Sequence, residues 1–353
     1  MADVTIVGGG TAGLFLAREL KTKGISSVVY EEHKELGKPI HDTGILSKNL
    51  DEFIDFHKKI TLNKVKGARF YSPSGKVVEL TRKEDEAYIL DRDKLEKELA
   101  KGIDVELGKR VENLNFKSKY IIGADGTRST VAKLAGFPEI ETWLLGLQYE
   151  IPNEGTHEKD FVELYFGREF SPGFFAWIVP TDKRLRVGLA VNGNAKEFLD
   201  KFVKAKLGKV EILETIGGLI PMRWRSQFVK ENVALVGDAA GQVKPTTGGG
   251  IYIGMASARI LASAIAKNDL NFYEAEWYEK IMPELEHGLK IRNFLNMLSD
   301  REIDKIFDLL QNEKIRKIIL EHGDMDKPSK LVKAVLGNPE LLIGYLPFLK
   351  YLW

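Results

Sequence analysis

A glycine-rich turn directly after the first strand constrains this fold more than any other feature. The run 3–7 is rich in β-branched residues, and GGGTAG follows it at 8–13. Apolar residues at helical spacing then continue to Gly24, and SVVY at 27–30 predicts a second strand. This order of strand, glycine turn, helix and strand is half of a βαβ unit that binds a dinucleotide.

The three glycines of GxGxxG each meet a different demand of a pyrophosphate site. Gly8, Gly10 and Gly13 permit a tight turn, close approach of backbone to phosphate, and close helix–strand packing. The helix that follows presents free N–H groups, starting at Thr11 and Ala12, and the positive end of its dipole. A glycine-rich turn with no ligand is the alternative for such a motif when it stands alone.

An acidic residue closes the second strand. Glu31 stands where a carboxylate accepts hydrogen bonds from the hydroxyls of a ribose. Glu32 is a further candidate contact, and its alternative is a solvated surface acid. This motif alone does not separate NAD from FAD, so the rest of the chain must decide.

Two later glycine motifs each place an aspartate between a strand and a helix. GADG at 123–126 contains Asp125, and GDAA at 237–240 contains Asp238. An aspartate in this position can bind a polyol, although each could instead cap a helix. KPTTGGGI at 244–251 then opens a long helix whose N–H groups can face an electron-rich ring edge.

Taken together, these motifs resemble those of a known superfamily. GGGTAG with Glu31, LDRDKLEKEL with Arg92, GADGTRSTVAK and VGDAAGQVKPTTGGGI are similar to the motifs of FAD-dependent aromatic hydroxylases and geranylgeranyl reductases. The resemblance implies that FAD is the cofactor. It assigns further cofactor contacts to Gly44, Arg92, Val111, Asp125, Gly126, Asp238, Pro245, Gly248, Gly249, Gly250 and Ile251. For Arg92, a surface arginine on a helix is the alternative.

The segment SPGFFAWIVP at 171–180 resembles the PGxYxWxFP stretch of geranylgeranyl reductases. Alternation along a strand predicts that Phe175, Trp177 and Val179 share one face, with Phe174, Ala176 and Ile178 on the other. One of these apolar faces can line an apolar substrate pocket over the flavin. The alternative is an ordinary buried strand.

The resemblance implies reduction of isolated C=C bonds in a polyprenyl lipid, with hydride from flavin N5 and a proton from an acid. A dry cavity protects the cationic state that such an alkene passes through. His41 and Asp42 in GKPIHDTG are the candidates for the acid, with a bound water or plain loop solvation as alternatives. Because no second GxGxxG follows, the electrons are expected from transient NAD(P)H contact or a small redox protein.

Composition excludes several other classes of protein. The 353 residues carry 52 basic and 51 acidic side chains. This balance lacks the large net positive charge expected of a nucleic-acid binder. The chain has no cysteine, so disulfides, thiolate metal sites and thiol nucleophiles are excluded. With six histidines and no HExxH pair, no metal centre is expected.

We therefore expect an α/β protein with three parts. They are a glutathione-reductase-type Rossmann FAD domain, an interleaved antiparallel-sheet substrate domain and a helical C-terminal segment. Within these parts, residues 45–59 predict a helix and 69–80 a hairpin turning at Ser74 and Gly75. The boundaries assigned are 1–60, 90–138 and 226–270 for the FAD domain, 61–89 and 139–225 for the sheet domain, and 271–353 for the helical segment.

Location and attachment are predicted from the two ends. The first strand begins almost at Met1, which leaves no space for a signal peptide and predicts a cytoplasmic protein. The apolar run 341–353 could attach the protein peripherally to the inner membrane face, or instead dock on its own core or on a second copy.

Two other functions share this scaffold. The first is a FAD-dependent monooxygenase acting on a quinone or aromatic lipid. The second is a non-catalytic electron-transfer flavoprotein, although a carrier would not need the apolar sheet domain. A halogenase is less favoured because AWIVP carries only half of the WxWxIP signature. Fold resemblance alone does not decide among these functions.

Overall fold

The computed structural model describes residues 2–155 and 157–338. The strands of these residues are β1 (Val4–Val7), β2 (Ser27–Glu31), β3 (Ile45–Ser47), β4 (Thr61–Val65), β5 (Gly67–Tyr71), β6 (Val77–Thr81), β7 (Ala87–Leu90), β8 (Val105–Leu107), β9 (Tyr120–Gly123), β10 (Trp143–Pro152), β11 (Phe161–Phe166), β12 (Phe175–Pro180), β13 (Arg184–Val191), β14 (Glu214–Pro221), β15 (Val229–Lys230) and β16 (Val233–Leu235). The helices are α1 (Thr11–Thr22), α2 (Arg92–Leu99), α3 (Thr130–Ala135), α4 (Ala195–Leu207), α5 (Ile251–Ala266), α6 (Leu270–Lys280), α7 (Met282–Met297), α8 (Asp300–Leu310), α9 (Glu313–His322) and α10 (Ser329–Leu336).

The first sheet has six strands in the order β15–β16–β9–β1–β2–β8. Apart from the β15–β16 pair, its strands run parallel, and β1 lies between β2 and β9. All four residues of β1 are buried, as expected for a central strand covered on both faces. Helices α1 and α5 pack against each other and contribute to the core around this sheet. The predicted strand–turn–helix–strand opening is confirmed.

The second sheet has seven strands in the order β14–β10–β13–β12–β11–β5–β6. Its neighbours are antiparallel except β5 and β11, which run parallel. Helix α4 packs on one face of this sheet, and the other face carries a separate apolar cluster that includes Trp177 and Val179. The predicted combination of a parallel sheet, an antiparallel sheet and a helical C-terminal part is confirmed. The exact domain boundaries stay a prediction.

The predicted helix over residues 45–59 is wrong. Ile45–Ser47 pairs with β7 in a three-stranded sheet of order β3–β7–β4. Two 3₁₀ turns follow, Lys48–Glu52 and Phe56–Lys59. The Ser47 hydroxyl accepts a hydrogen bond from Asn49 N and so caps the first turn. A short apolar run fits strand and helix equally well, and here the partner strand decided the outcome.

The hairpin predicted at residues 69–80 is confirmed as β5 and β6. Tyr71 pairs with Val77, and Ser72 N donates to the Lys76 carbonyl to close the turn. From α6 to α10 the described chain is helical, as predicted. None of the helices within residues 2–155 and 157–338 combines the length and apolar character needed to cross a membrane. The apolar run 341–353 lies outside the described residues, so its role stays a prediction.

Candidate functional site

The glycine turn between β1 and α1 has no room for a side chain at Gly8, and it leaves the start of α1 uncapped. Gly8 has φ of 111°, and a Cβ there would lie 2.2 Å from the Ala124 carbonyl oxygen. At Gly10, by contrast, a Cβ would meet nothing within 4 Å, and no side chain caps the start of α1. The first N–H groups of α1, at Thr11 and Ala12, therefore begin beside open space, which suits a phosphate group.

Glu31 lies against this turn at the end of β2. One carboxylate oxygen accepts from Gly9 N at 2.7 Å, and the other lies 2.8 Å from His33 N and 2.6 Å from His33 Nδ1. The side chain is fixed beside the open space at Gly10. Glu32, in contrast, is exposed at the surface, 3.8 Å from Arg110. The structure brings Glu31 to the site and leaves Glu32 outside it.

Arg92 is buried and forms ion pairs with Asp42 and Glu96, so it is not a surface arginine. Its Nε donates to both carboxylate oxygens of Asp42, at 2.9 and 2.8 Å, and its two terminal nitrogens donate to Glu96 at 3.1 and 2.7 Å. Thr11 Oγ1, in the first turn of α1, donates to the same Glu96 at 2.7 Å. Burial disfavours the charge, but the Asp42 and Glu96 carboxylates outweigh it and raise the pKa of Arg92.

A second arginine holds the loop that contains His41 and Asp42. Arg186, in β13, donates from Nη1 to the Thr43 carbonyl at 2.6 Å and from Nε to the buried Glu150 at 2.8 Å. Gly44 N donates to Asp42 Oδ1 at 2.7 Å, and Gly44 adopts φ of 69°. Hydrogen bonds from α2 and from the antiparallel sheet therefore hold the loop 41–44 from two sides.

Sequence reasoning did not find Arg186, Glu150 or Glu96. The signal was present, because RLRVGLAV and QYEI place charged residues within otherwise apolar strands. Charges are rarely buried without a partner, so two opposite charges in adjoining strands indicate a buried pair.

His41 and Asp42 lie next to each other but in different surroundings. Asp42 is half-buried and committed to its pair with Arg92. His41 is exposed, and its Nδ1 lies 3.0 Å from the Gly217 carbonyl of β14. The carboxylate therefore anchors the loop, while the imidazole stays accessible.

Asp238 faces the same region from the parallel sheet. It lies in a 3₁₀ turn, Gly237–Ala240, directly after β16. Burial and the nearby charge of Asp42 raise the pKa of Asp238 to about 6, against the opposing charges of His41 and Arg92. The sequence assigned His41, Asp42 and Arg92 to this site independently of Asp238. All three lie close enough for their charges to shift the pKa of Asp238.

The loop 244–250 runs from Lys244 into α5. Gly250 precedes Ile251 at the start of the helix, and no side chain caps this end. A Cβ at Gly250 would lie 2.6 Å from Asp238 Oδ1, so the aspartate packs against the loop backbone. Together with Gly248, Gly249 and Pro245, this loop offers a second uncapped helix terminus.

Asp125 and Val111 occupy supporting positions. Asp125 accepts from Ser129 Oγ at 2.6 Å and from Val131 N at 3.0 Å, so it holds the start of α3. Burial raises the pKa of Asp125. Gly126 follows it with φ of 75° and open space around its α carbon. Val111 lies in the segment after β8, half-buried against the core of the parallel sheet.

β12 and its neighbours form one buried apolar cluster at the place where the sequence predicts a substrate pocket, and this cluster is called the slot. Trp177, Val179 and, in part, Phe175 join Leu144 and Ile220 in one cluster, as alternation predicted for the first three. Phe174 was expected on the opposite face, and this is wrong, because it belongs to the same cluster. It precedes β12 in a turn closed by its N–H to the Ser171 carbonyl, so strand alternation does not reach it.

Phe174 also connects the slot to the loop before α5. Its ring stacks on Phe175 with centroids 4.2 Å apart. A Cβ at Gly248 would lie 3.6 Å from Phe174 Cζ. The aromatic wall therefore contacts the same loop that carries the second uncapped helix end.

The C-terminal helices add a buried cation that sequence reasoning missed. Arg292 of α7 is 7% exposed, and its guanidinium lies 4.6 Å from the centroid of the Phe174 ring. It donates to the Pro245 carbonyl at 3.4 Å and to the Gly173 carbonyl. Burial lowers the pKa of Arg292 to about 10. This one side chain therefore joins the loop 244–250 to the start of the slot.

The hydrogen-bonding groups of this site fit FAD. Two uncapped helix ends, at α1 and α5, can face phosphates and an electron-rich ring edge. Glu31 and Asp238 supply carboxylates at the carboxyl ends of two parallel strands, where α/β sheets bind such ligands. When bound, FAD supplies two-electron redox chemistry.

Three family models match the chain. The FAD binding domain matches residues 1–39, the geranylgeranyl reductase catalytic domain matches 143–220, and the lycopene cyclase protein model matches 194–319. The first covers the glycine turn and Glu31, and the second covers the slot strand β12 and the edge strand β14.

Relatives cover nearly the whole chain. An uncharacterized protein of Methanocaldococcus jannaschii is 31% identical over 379 aligned residues, which cover 97% of each chain. A digeranylgeranylglycerophospholipid reductase of the same organism is 29% identical over 388 residues, again 97% of each.

Solved structures agree with these relatives. A geranylgeranyl bacteriochlorophyll reductase-like protein from Thermoplasma acidophilum superposes with a TM-score of 0.80 at 26% identity, covering 98% of this chain and 99% of that one. A flavin-dependent brominase reaches a TM-score of 0.73 at 14% identity over 96% of this chain and 99% of its own, which shows a shared fold alone. With FAD as its cofactor, the chain belongs to the geranylgeranyl reductase family of FAD-dependent oxidoreductases.

Proposed function

We propose that this protein is a reductase that saturates C=C bonds in the polyprenyl chains of a lipid. The observation that carries the proposal is the aromatic slot beside the loop before α5, where Phe174 contacts both. The M. jannaschii relative, a digeranylgeranylglycerophospholipid reductase, supports this substrate class.

The slot suits a hydrocarbon chain. Trp177 and Val179 are 9% and 2% exposed, and their cluster includes Leu144 and Ile220 on neighbouring strands. Apolar walls favour a prenyl chain and exclude water. Water exclusion matters here because an isolated alkene accepts a hydride only as it gains a proton, and water would capture the resulting cation.

The buried network of Arg92 and Arg186 has a positioning role in this proposal. It fixes the loop 41–44 from two directions through Asp42 and the Thr43 carbonyl. The exposed His41 is then held over β14, with Nδ1 near the Gly217 carbonyl. We assign the proton donor to His41 and an anchoring role to Asp42, because both carboxylate oxygens of Asp42 already accept from Arg92.

Electrons for the reaction come from a donor outside the chain, either NAD(P)H in transient contact or a small redox protein. The sequence contains a single GxGxxG, at Gly8–Gly13, so a separate Rossmann site for a nicotinamide nucleotide is not expected. Anaerobic reduction followed by flavin absorbance, with NADH, NADPH and reduced ferredoxin in turn, identifies the donor.

The reaction itself is tested with dithionite-reduced holoenzyme and a digeranylgeranyl glycerol ether lipid under argon. We expect products heavier by two hydrogens for each reduced bond in mass spectra. A product that forms only when oxygen is admitted, and that carries an added oxygen atom, would instead establish a monooxygenase. Rapid electron exchange with a redox partner and no lipid product would establish a carrier.

The role of His41 is tested in the same assay. His41→Gln is expected to lower the turnover number by about 10²–10⁴-fold, the usual contribution of a general acid, while FAD content stays unchanged. His322→Gln is the matched control, because His322 lies at the end of α9 and is exposed. Equal turnover of the two variants would remove His41 from the mechanism and favour a bound water.

A further inference from the structure

A lysine lies beside the glycines of the loop before α5. Lys244 opens the loop 244–250, and its side chain is largely buried. Its Cε and Nζ lie 3.1 and 3.5 Å from the position that a Cβ would take at Gly249. The ammonium group is therefore next to the backbone that leads into the uncapped start of α5.

Backbone hydrogen bonds hold the lysine in this place. Lys244 N donates to the Gly249 carbonyl at 3.2 Å, and Gly248 N donates to the Lys244 carbonyl at 2.8 Å. The two ends of the loop are thus tied to each other. The base of the Lys244 side chain cannot leave the glycines unless both of these bonds break.

The counter-ion of Lys244 comes from the segment between α9 and α10. Asp326 Oδ1 accepts from Lys244 Nζ, and the Asp326 side chain is fully buried. The second oxygen of Asp326 accepts from Ser47 Oγ and from Asn49 Nδ2. Because two other groups also hold the carboxylate, its position does not depend on the lysine alone.

The pair lies where charge matters to a flavin. No side chain caps the start of α5, so the positive end of the helix dipole and the Lys244 ammonium meet at the same loop. When a flavin takes up two electrons and one proton, it gains one negative charge at its ring edge. A fixed cation near that edge favours the reduced state, and a fixed anion disfavours it.

We propose that the Lys244–Asp326 pair sets the reduction potential of the bound FAD. Lys244 favours the reduced cofactor, and Asp326 opposes this effect because it cancels part of the lysine charge. The inference concerns FAD itself, so it holds whichever lipid the protein acts on. Through Asp326, the C-terminal helices influence how readily the cofactor accepts electrons.

Other charges lie at the same loop but do not change in the variants below. Arg292 donates to the Pro245 carbonyl, and Asp238 lies against Gly250. Both side chains contribute to the field at this loop in the wild type and in every variant. A difference between variants therefore reports the pair alone.

A charge effect and a structural effect predict different results for the two halves of the pair. Removing either partner of a buried ion pair loosens the structure, so a structural role shifts the potential in the same direction in both single variants. A role through charge shifts it in opposite directions. Asp326→Asn leaves the cation uncompensated and raises the potential, whereas Lys244→Met leaves the carboxylate and lowers it.

The measurement uses the FAD-loaded protein at equilibrium with a reference dye of known potential. Xanthine and xanthine oxidase supply the electrons, and absorbance gives the ratio of reduced to oxidised FAD. At the solution potential that leaves the wild type half reduced, we expect this ratio to rise about three- to tenfold in Asp326→Asn and to fall about three- to tenfold in Lys244→Met. Lys244→Arg keeps the charge and should stay within about twofold of the wild type.

Lys327 and Glu52 provide the matched control. Their side chains lie 3.8 Å apart and join the same segment between α9 and α10 to the turn that follows β3. Both are more exposed than the Lys244–Asp326 pair, and in the described part of the chain neither hydrogen-bonds to the loop 244–250. We expect Lys327→Met and Glu52→Gln to change the ratio by less than about twofold, because solvent screens their charges.

Three results would overturn the proposal. A shift in the same direction in both single variants means that the pair acts through structure. Single variants within about twofold of the wild type mean that its charges do not reach the flavin. If a single variant fails to retain FAD, the double variant Lys244→Met/Asp326→Leu decides. Its ratio should fall below that of the wild type, because Lys244 belongs to the loop and Asp326 contacts the loop through it; an unchanged ratio is the third overturning result.

Discussion

Lys244, in the loop before α5, donates to the Asp326 carboxylate with Nζ 2.5 Å from Oδ1. The two side chains are 12% and 0% exposed. Asp326 also accepts from Ser47 Oγ and, at 2.9 Å, from Asn49 Nδ2. The segment between α9 and α10 therefore ties the loop 244–250 to the end of β3 and to the turn that follows it.

The first prediction concerns this buried ion pair. Asp326→Asn leaves the Lys244 charge without its partner, and we expect the free energy of unfolding to fall by about 3–5 kcal/mol. Urea unfolding of the holoenzyme measures the change. The double variant Lys244→Met/Asp326→Leu should recover more than half of the loss, because an apolar pair replaces the buried charges. Additive losses in the double variant would contradict an ion pair.

The second prediction concerns Arg92. Arg92→Met leaves Asp42 and Glu96 as adjacent carboxylates without their cation, and it releases the loop 41–44. We expect FAD to bind at least about tenfold more weakly, with Arg92→Lys intermediate because an ammonium cannot make all four hydrogen bonds. Equilibrium dialysis of FAD measures the affinity. Arg110→Met, at a 74% exposed arginine, is the control and should bind FAD normally.

The third prediction concerns the pH dependence of the apoprotein. Asp238 has a pKa of about 6 in the folded chain against an ordinary value of 3.8, so between these values the folded state holds a proton that the unfolded state has lost. The contribution of Asp238 to the free energy of unfolding therefore falls as pH rises through this window and levels off above it.

Asp238→Asn removes this dependence. At pH 7.5 the variant apoprotein should be more stable than the wild type by roughly 1–3 kcal/mol, and near pH 4 the difference should vanish. Urea unfolding followed by tryptophan fluorescence at the two pH values tests this. Asp55→Asn, at an exposed aspartate without a side-chain cap bond, should show no such crossover. A constant offset at both pH values would mean that Asp238 titrates normally.

The sequence predicted local features well because their causes are local. The turn at Gly8 demands a positive φ and a missing Cβ, and only glycine meets both. Alternation placed Trp177 and Val179 correctly because both lie inside β12. Phe174 was misplaced because the strand starts one residue later, and element boundaries are what periodicity defines least.

Long-range pairing explains what the sequence could not predict. Arg92 and Asp42 are assigned separately by their motifs, yet their ion pair, in which Nε is shared between both carboxylate oxygens, forms only when α2 packs against the loop 41–44. Arg292 lies in α7 and Asp326 in the segment between α9 and α10, and only the fold brings them to Pro245 and Lys244. The sequence around a buried charge does not reveal a partner that lies far away along the chain.

The last prediction concerns Arg292, which contacts the Pro245 and Gly173 carbonyls and the Phe174 ring. Among the described residues no carboxylate pairs with it, and burial alone lowers its pKa to about 10. Because it joins the loop before α5 to the slot, we expect Arg292→Met to raise KM for a prenyl lipid by about 10-fold or more with FAD retained, as one buried hydrogen-bonding charge is lost. Arg292→Lys should recover part of this, because the cation–π contact survives while the paired carbonyl contacts do not.

The matched control for Arg292 is Arg82→Met. Arg82 also donates to carbonyls of the C-terminal helices, at Leu320 and Gly323, but it has no contact with Pro245 or Phe174. It should lower the melting temperature without raising KM. If Arg82→Met and Arg292→Met change KM equally, Arg292 only holds the helices in place. If Arg292→Met alone raises KM, the residue sets the spacing between the slot and the loop 244–250.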